Sequence, residues 1–256
     1  MTFVFTKQTM MNTPDKPFSL SGKRIILLGG SSGLGLATAK AAAAEGAHVV
    51  IVSSHQQRVN DALAQLSSDS LGVALDLSQE ENIHEFFDHI GPFDHLVYTA
   101  GENISLNRLE TLNIAQAKDY FAVRFWGAFA AVKYGAPHIK SGGSICLTSG
   151  ITSQRPGAGW SLGTSICSAM EGFCRAMAVE LAPIRVNIVS PGLVRTNLWS
   201  GMNEADRANL FESIGNQLLV KRIGEPEEIA QTFLFMMKQP FATGQCFTID
   251  GGASLV

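Results

Sequence analysis

A chain of 256 residues, 46% of them hydrophobic, is long enough to bury one large core. Its net charge of −3 leaves no basic footprint for nucleic acid or an anionic membrane surface, and no apolar run approaches the roughly 20 residues that a bilayer crossing takes. The four cysteines, Cys146, Cys167, Cys174 and Cys246, lack metal-type spacing, so no metal site is expected and they read as buried thiols in a reducing, cytoplasmic compartment.

Residues 1–19 hold Phe3-Val4-Phe5 but no apolar stretch of secretory-signal length, and read as a loose arm before a domain spanning 20–256. Arg24–Leu28 is an apolar run of strand length. It strikes the cluster Gly29-Gly30-Ser31-Ser32-Gly33-Leu34-Gly35 and gives way to alanine-rich helix as far as Glu45, stopped by Gly46. Strand, glycine turn and helix in that order suit a diphosphate. Gly29, Gly33 and Gly35 would let a ligand approach the backbone, and the helix would aim its free N–H groups and positive dipole end at it.

The alternation continues. Strands are predicted at 47–53, 71–75, 95–99, 143–148, 185–189 and 244–249, and helices at 56–66, 79–90, 113–137, 161–181 and 226–238. Ser161, Thr164 and Ser165 would cap the start of the helix at 161–181. Residues 193–224 read as a looser segment, of which about 193–220, with Trp199, Met202 and Phe211, would serve as a lid. Successive βα units imply an α/β fold: a single Rossmann-type, doubly wound parallel sheet in three α/β/α layers. Its ligand crevice would lie at the carboxyl ends of the strands.

Several landmarks in order resemble the short-chain dehydrogenase/reductase family over about 20–256. They are Gly29-x-x-x-Gly33-x-Gly35, Asp76-Leu77, Ala100-Gly101, the run Ala178-Val179-Glu180-Leu181-Ala182-Pro183-Ile184-Arg185-Val186-Asn187, and Ser190-Pro191-Gly192 followed by Val194-x-Thr196. The resemblance implies a nicotinamide dinucleotide. Asp76 and Leu77 would hold the adenine and Ala100 and Gly101 would pass under the ribose. Pro191, Gly192, Val194 and Thr196 would hold the nicotinamide amide and diphosphate, with Ser31, Ser32 and Leu34 in the glycine turn. It also implies a homo-dimer or homo-tetramer joined through the helices at 113–137 and 161–181. At the end of the second strand stand Ser53, Ser54, His55 and Arg58, with no carboxylate before Asp61. An acid there would bind a ribose diol, whereas hydroxyls, a histidine and an arginine suit a 2′-phosphate, so NADP(H) is the expected cofactor.

The family reduces carbonyls with an asparagine, a serine and a Tyr-x-x-x-Lys pair. Anchoring on Glu171-Gly172-Phe173 places the tyrosine position at Gly163, the lysine position at Cys167, the serine position at Gly150 and the asparagine position at Arg124. No register shift restores the pair: the three tyrosines are Tyr98, Tyr120 and Tyr134, and no lysine lies between Lys140 and Lys221. The Asn-Asn that usually precedes Ala100-Gly101 is Tyr98-Thr99. An arginine in place of the asparagine, with the pair gone, resembles a divergent fungal branch recruited to indole-alkaloid pathways as NADP(H)-dependent cyclases, with iminium reduction as a companion activity. An aspartate important in some of those cyclases has no counterpart in Gly157–Trp160. The resemblance therefore reaches the branch and not a particular cyclisation.

Four residues remain as candidates for chemistry on a small-molecule substrate. Arg124, inside an apolar helix, is costly to bury unpaired and would seek Glu102 or a substrate carbonyl. Glu102, just after Ala100-Gly101, would balance a substrate cation at the pocket mouth. Trp160 would stack on an aromatic or cationic substrate, and Ser149 would donate a hydrogen bond. Cys167, with no cation placed to lower its pKa, reads as inert. Three functions stay open at this point: hydride chemistry or cyclisation on a C=N⁺ electrophile, an NADPH-binding pseudoenzyme acting as sensor or partner, and an ordinary carbonyl reductase using Ser149 and water.

Overall fold

The computed structural model describes residues 18–104 and 106–256. Apart from Phe18 and Ser19, the arm expected at 1–19 lies outside the described residues. Seven strands form one parallel sheet: β1 (Arg24–Leu28), β2 (His48–Ser53), β3 (Leu71–Ala74), β4 (Phe93–Tyr98), β5 (Ile139–Thr148), β6 (Arg185–Pro191) and β7 (Cys246–Ile249), in the order β3-β2-β1-β4-β5-β6-β7. The order reverses between β1 and β4, which opens a crevice at their carboxyl ends. β1 is buried at Ile25, Ile26, Leu27 and Leu28, and β2 from Val49 to Ser53, because a parallel strand covered on both faces has no side left for water.

Helices cover both faces. On one side α3 (Glu80–Ile90), α4 (Ile114–Phe121), α5 (Ala128–Gly135) and α6 (Ser161–Glu180) close a core around Phe87, Phe93, Leu96, Val132, Met170 and Ile145. On the other, α1 (Gly33–Ala44), α2 (Gln56–Leu63) and α8 (Pro226–Lys238) close a second around Ala39, Ala62, Ile51, Val97 and Phe233. Each buried Phe, Ile or Leu contributes on the order of 2 kcal/mol by leaving water. Arg185 is buried between the layers, donating to the carbonyls of Met236 and Met237 at 2.7 and 2.8 Å, so it closes the end of α8.

Three features differ from the sequence reading. The long helix expected at 113–137 is interrupted by a π turn, Ala122–Gly127, between α4 and α5. The looser segment at 193–224 contains a full helix, α7 (Glu204–Gln217), whose N-cap Asn203 accepts a hydrogen bond from the Asp206 N–H. And α6 starts at the non-helical Trp160 with no side-chain cap. Thr164 Oγ1 donates back to the Thr152 carbonyl instead of capping.

Candidate functional site

At the exit of β1, Gly29 has φ +92° and its N–H donates to the Val52 carbonyl. A Cβ on Gly29 would sit 2.5 Å from the Ala100 nitrogen, and one on Gly35 2.2 Å from the Gly29 oxygen and 2.6 Å from Thr99 Oγ1. These two glycines therefore also serve close contact within the turn and with the end of β4, a reason the sequence alone does not show. Gly33 differs: its φ is +50°, and the space above it faces Thr196 at 3.5 Å. Ser32 is the extended N-cap of α1 without a side-chain bond, so the first N–H groups of α1, beginning at Gly33 and Leu34, have no acceptor within the helix. The turn and the 196 segment thus form two banks of one crevice, with a helix N-terminus at its floor. An anion fits that floor.

Beside it, Ser31 Oγ donates to Ser53 Oγ at 2.7 Å, tying the glycine turn to the end of β2. Ser54 Oγ and His55 Nδ1 lie 2.7 Å apart on the exposed surface, and Arg58 is exposed one turn into α2. Asp61, the first carboxylate beyond, accepts from Gln57. Asp76 is exposed and its Oδ1 holds the Ser78 N–H and hydroxyl. Leu77, by contrast, is a core side chain, and so is Val194, which bridges to Gly224. Neither side chain is open to a ligand. Gly192 packs on Asp250, where a Cβ would come within 2.8 Å of the Cα. Thr196 caps the short turn Asn197–Trp199.

The opposite end of the crevice is built around Arg124. Its Nη2 donates to the Glu102 carbonyl, its Nε lies 3.8 Å from Glu102 Oε2, and its guanidinium stacks over Tyr120 with Cζ 5.1 Å from the ring centre. The group lies so close over Gly101 that a Cβ there would meet Cζ at 2.8 Å. Burial raises the Glu102 carboxyl above its ordinary value, with Arg124 opposing. Arg124 Nε, Thr152 Oγ1 and Ser190 Oγ are buried without hydrogen-bond partners among the described residues.

Gly163, Cys167 and Glu171 follow one another at four-residue spacing on one face of α6. A Cβ on Gly163 would make ordinary contacts, 3.6 Å to the Trp160 ring and 3.9 Å to Thr152 Oγ1, and one on Gly150 would sit 3.2 Å from Cys167 Sγ. These positions surround one small volume. Cys167 is half-buried rather than buried, as is Cys246, and burial raises both thiols, Cys246 to about 11. Ser149, expected to donate to a substrate, donates instead to Glu171 Oε1 at 2.8 Å, which also holds Ser153 Oγ at 2.6 Å. An acceptor already inside the protein has taken that hydroxyl. Glu171 is a residue the sequence reading used only as an anchor. The signal for it was its four-residue step from Cys167 and Gly163.

Trp160 packs edge-on against Trp199 at 6.4 Å, and Trp199 against Phe211 at 6.3 Å, in a small cluster with Met202 and Leu198. Trp199 Nε1 donates to the Val194 carbonyl, and the Ile104 N–H to the Leu198 carbonyl. The segment after β6 is thereby docked across the crevice. Among the described residues no group of acidic, histidine and cysteine side chains could hold a metal ion, and no helix is long and apolar enough to cross a membrane.

The family model described as enoyl-(acyl carrier protein) reductase matches residues 29–254. A short-chain dehydrogenase/reductase, ATR9 of Stachybotrys chlorohalonatus, is 34% identical over 93% of this chain and 99% of its own. A small-chain dehydrogenase solved in complex with NADPH superposes with a TM-score of 0.81 at 35% identity, over 92% of this chain and 100% of its own. The MalC reductase/Diels-Alderase of Malbranchea aurantiaca superposes at 0.85 with 27% identity, over 93% of this chain and 97% of its own. With the glycine turn, the β1/β4 crevice and this likeness along nearly its whole length, the chain belongs to the short-chain dehydrogenase/reductase family, whose members are oxidoreductases.

Proposed function

We propose that the protein is an atypical NADP(H)-dependent oxidoreductase or cyclase that acts on an imine- or iminium-bearing, alkaloid-type secondary metabolite in the cytoplasm. One observation carries the reading. One face of α6 carries Gly163 and Cys167, the positions at which the family resemblance puts the phenol and the ammonium that deliver a proton to an alkoxide, while the chain keeps its glycine turn. The NADPH-bound neighbour and the MalC reductase/Diels-Alderase support it.

The N–H groups at the start of α1, with Ser31 and Ser32, would hold the diphosphate, and Ser53, Ser54, His55 and Arg58 the 2′-phosphate. Asp76 and the backbone of Leu77 would border the adenine, Ala100 and Gly101 the ribose, and Pro191, Gly192, Val194 and Thr196 the nicotinamide side. NADPH, when bound, supplies hydride. A C=N⁺ carbon that accepts hydride becomes a neutral amine, so no residue has to donate a proton at that step. A missing lysine also removes repulsion against a cationic substrate, worth a few kcal/mol at roughly 4 Å and an effective dielectric near 20. Arg124, fixed on Gly101 and Tyr120, would anchor or polarise a substrate carbonyl, Glu102 would balance the cation, and Trp160 would supply an aromatic wall.

The groove of about 450 Å³ between α5 and α6, lined by Phe129, Val132, Phe173 and Met177, suits a second copy of the chain in a homo-dimer or tetramer. Trp126, whose ring lies 6.0 Å from that of Phe129 on the groove's wall, is 60% exposed.

The test is NADPH oxidation and product analysis with a panel of cyclic imines, iminium ions and ketones. Turnover or cyclisation confined to the carbon–nitrogen substrates is the expected result. Tight NADPH binding without turnover on any of them would leave a sensor instead. Arg124→Ala is expected to lower turnover at least about tenfold with NADPH affinity unchanged; unaltered turnover removes Arg124 from the chemistry.

A further inference from the structure

We propose that Tyr98 is the positioning residue of the site: its phenol, donating to the Val123 carbonyl, fixes the π turn that carries Arg124. A π turn inserts a residue into the helical ladder and loosens its carbonyls, so it persists where something outside the helix takes them up. Tyr98 is 2% exposed, at the last residue of β4, and its hydroxyl reaches across to Val123, the residue before Arg124. The fit is close from both sides. A Cβ on Gly127, the last residue of the turn, would meet the Tyr98 hydroxyl at 2.6 Å and the Leu77 oxygen at 2.5 Å. Glycine is what lets the turn close onto the phenol.

The other end of Tyr98 is equally constrained. It pairs with Leu28 of β1, and its carbonyl accepts from Thr148 Oγ1 at 2.7 Å. Two residues on, Ala100 touches the glycine turn and Gly101 lies under the Arg124 guanidinium. One side chain thus ties the sheet, the strip on which Arg124 rests and the turn from which Arg124 projects. Burial holds the phenol pKa far above its usual range, which keeps the hydroxyl a donor. The role as a positioning residue rests on the reading of Arg124 as the group that meets substrate, whereas the geometry it describes does not.

Tyr98→Phe removes the hydroxyl and keeps the ring. Hydrogen exchange in the full-length protein is expected to rise about fivefold across 122–127, as the loss of one net hydrogen bond implies, with the centre of α6 unchanged. Labelling of Arg124 by phenylglyoxal, read by peptide mass spectrometry, should accelerate by a similar factor. NADPH affinity should hold, any turnover should fall in kcat, and the double variant with Arg124→Ala should be no worse than Arg124→Ala alone. Gly127→Ala pushes on the same contact from the turn and should raise exchange and labelling in the same places, which keeps the test decisive if one variant folds poorly. Unaltered exchange and labelling in either folded variant would overturn the role. If the exchange and labelling change but the wild type turns over nothing, Tyr98 stands as the anchor of Arg124 and the reading of the site as catalytic fails alone.

Discussion

The two ends of the crevice are made of different material. At the dinucleotide end the chain works with backbone: Gly29 and Gly35 are pressed against the close of β4, Gly33 has positive φ, and the first N–H groups of α1 have no side-chain cap among the described residues. At the other end it works with long side chains held by one another, Arg124 on Tyr120 and Glu102, Ser149 and Ser153 on Glu171, Trp160 on Trp199. A backbone site tolerates almost no change in residue type, because a single added carbon collides. A side-chain site can be emptied and refilled while the chain around it stays in place. That difference would let one end keep its glycine turn while the other changes, which is the contrast the proposed function turns on.

The largest effect should come from breaking the backbone end. Gly29→Ala places a Cβ 2.5 Å from the Ala100 nitrogen at a φ of +92°, so steric and conformational costs add. We expect a loss of about 3 kcal/mol or more in denaturant unfolding and no measurable NADPH binding by fluorescence titration. A variant that binds NADPH as well as wild type would mean the turn is not under the tension its contacts imply.

Refilling the other end sharpens the same contrast. The triple variant Gly150→Ser, Gly163→Tyr, Cys167→Lys tests this: a Cβ on Gly163 finds nothing nearer than 3.6 Å, and one on Gly150 meets only the side chain at 167, at 3.2 Å. It should gain at least about a hundredfold in ketone reduction, the usual worth of a placed general acid. NADPH binding with no gain would show that the backbone, and not only the side chains, has left the reductase geometry.

How much could be read beforehand follows the same division. The backbone end was legible because glycine and strand–turn–helix order are local: Arg24–Leu28, the turn and α1 stand where the pattern puts them. Even there the reason for Gly29 and Gly35 was not legible, since their neighbours Thr99 and Ala100 are about 70 residues away in sequence. The side-chain end depended on contacts between distant segments. Nothing local in Ala122–Gly127 marks a π turn; the contact that holds it comes from Tyr98, at the end of β4. Nothing local in Ser149 reveals that its hydroxyl donates to Glu171. The helix α7 was missed because its 14 residues carry little apolar periodicity, only Phe211 and Gly215 being buried.

The smallest effect concerns Glu102, where two forces oppose. Burial favours the neutral acid and raises its pKa above the ordinary 4.5, while Arg124 at 3.8 Å favours the anion without making a hydrogen bond to it. The side chain is 43% exposed, so solvent discounts both. A carboxyl whose pKa is raised by folding contributes stability below its unfolded pKa and loses it as pH rises through the folded value. Glu102→Gln, neutral at every pH, should therefore melt slightly higher than wild type at pH 7, and the difference should vanish near pH 4. A variant that melts lower at pH 7 would mean that the pull of Arg124 exceeds the cost of burial. Glu102 would then be bound to Arg124 as a structural pair and no longer open to a substrate cation.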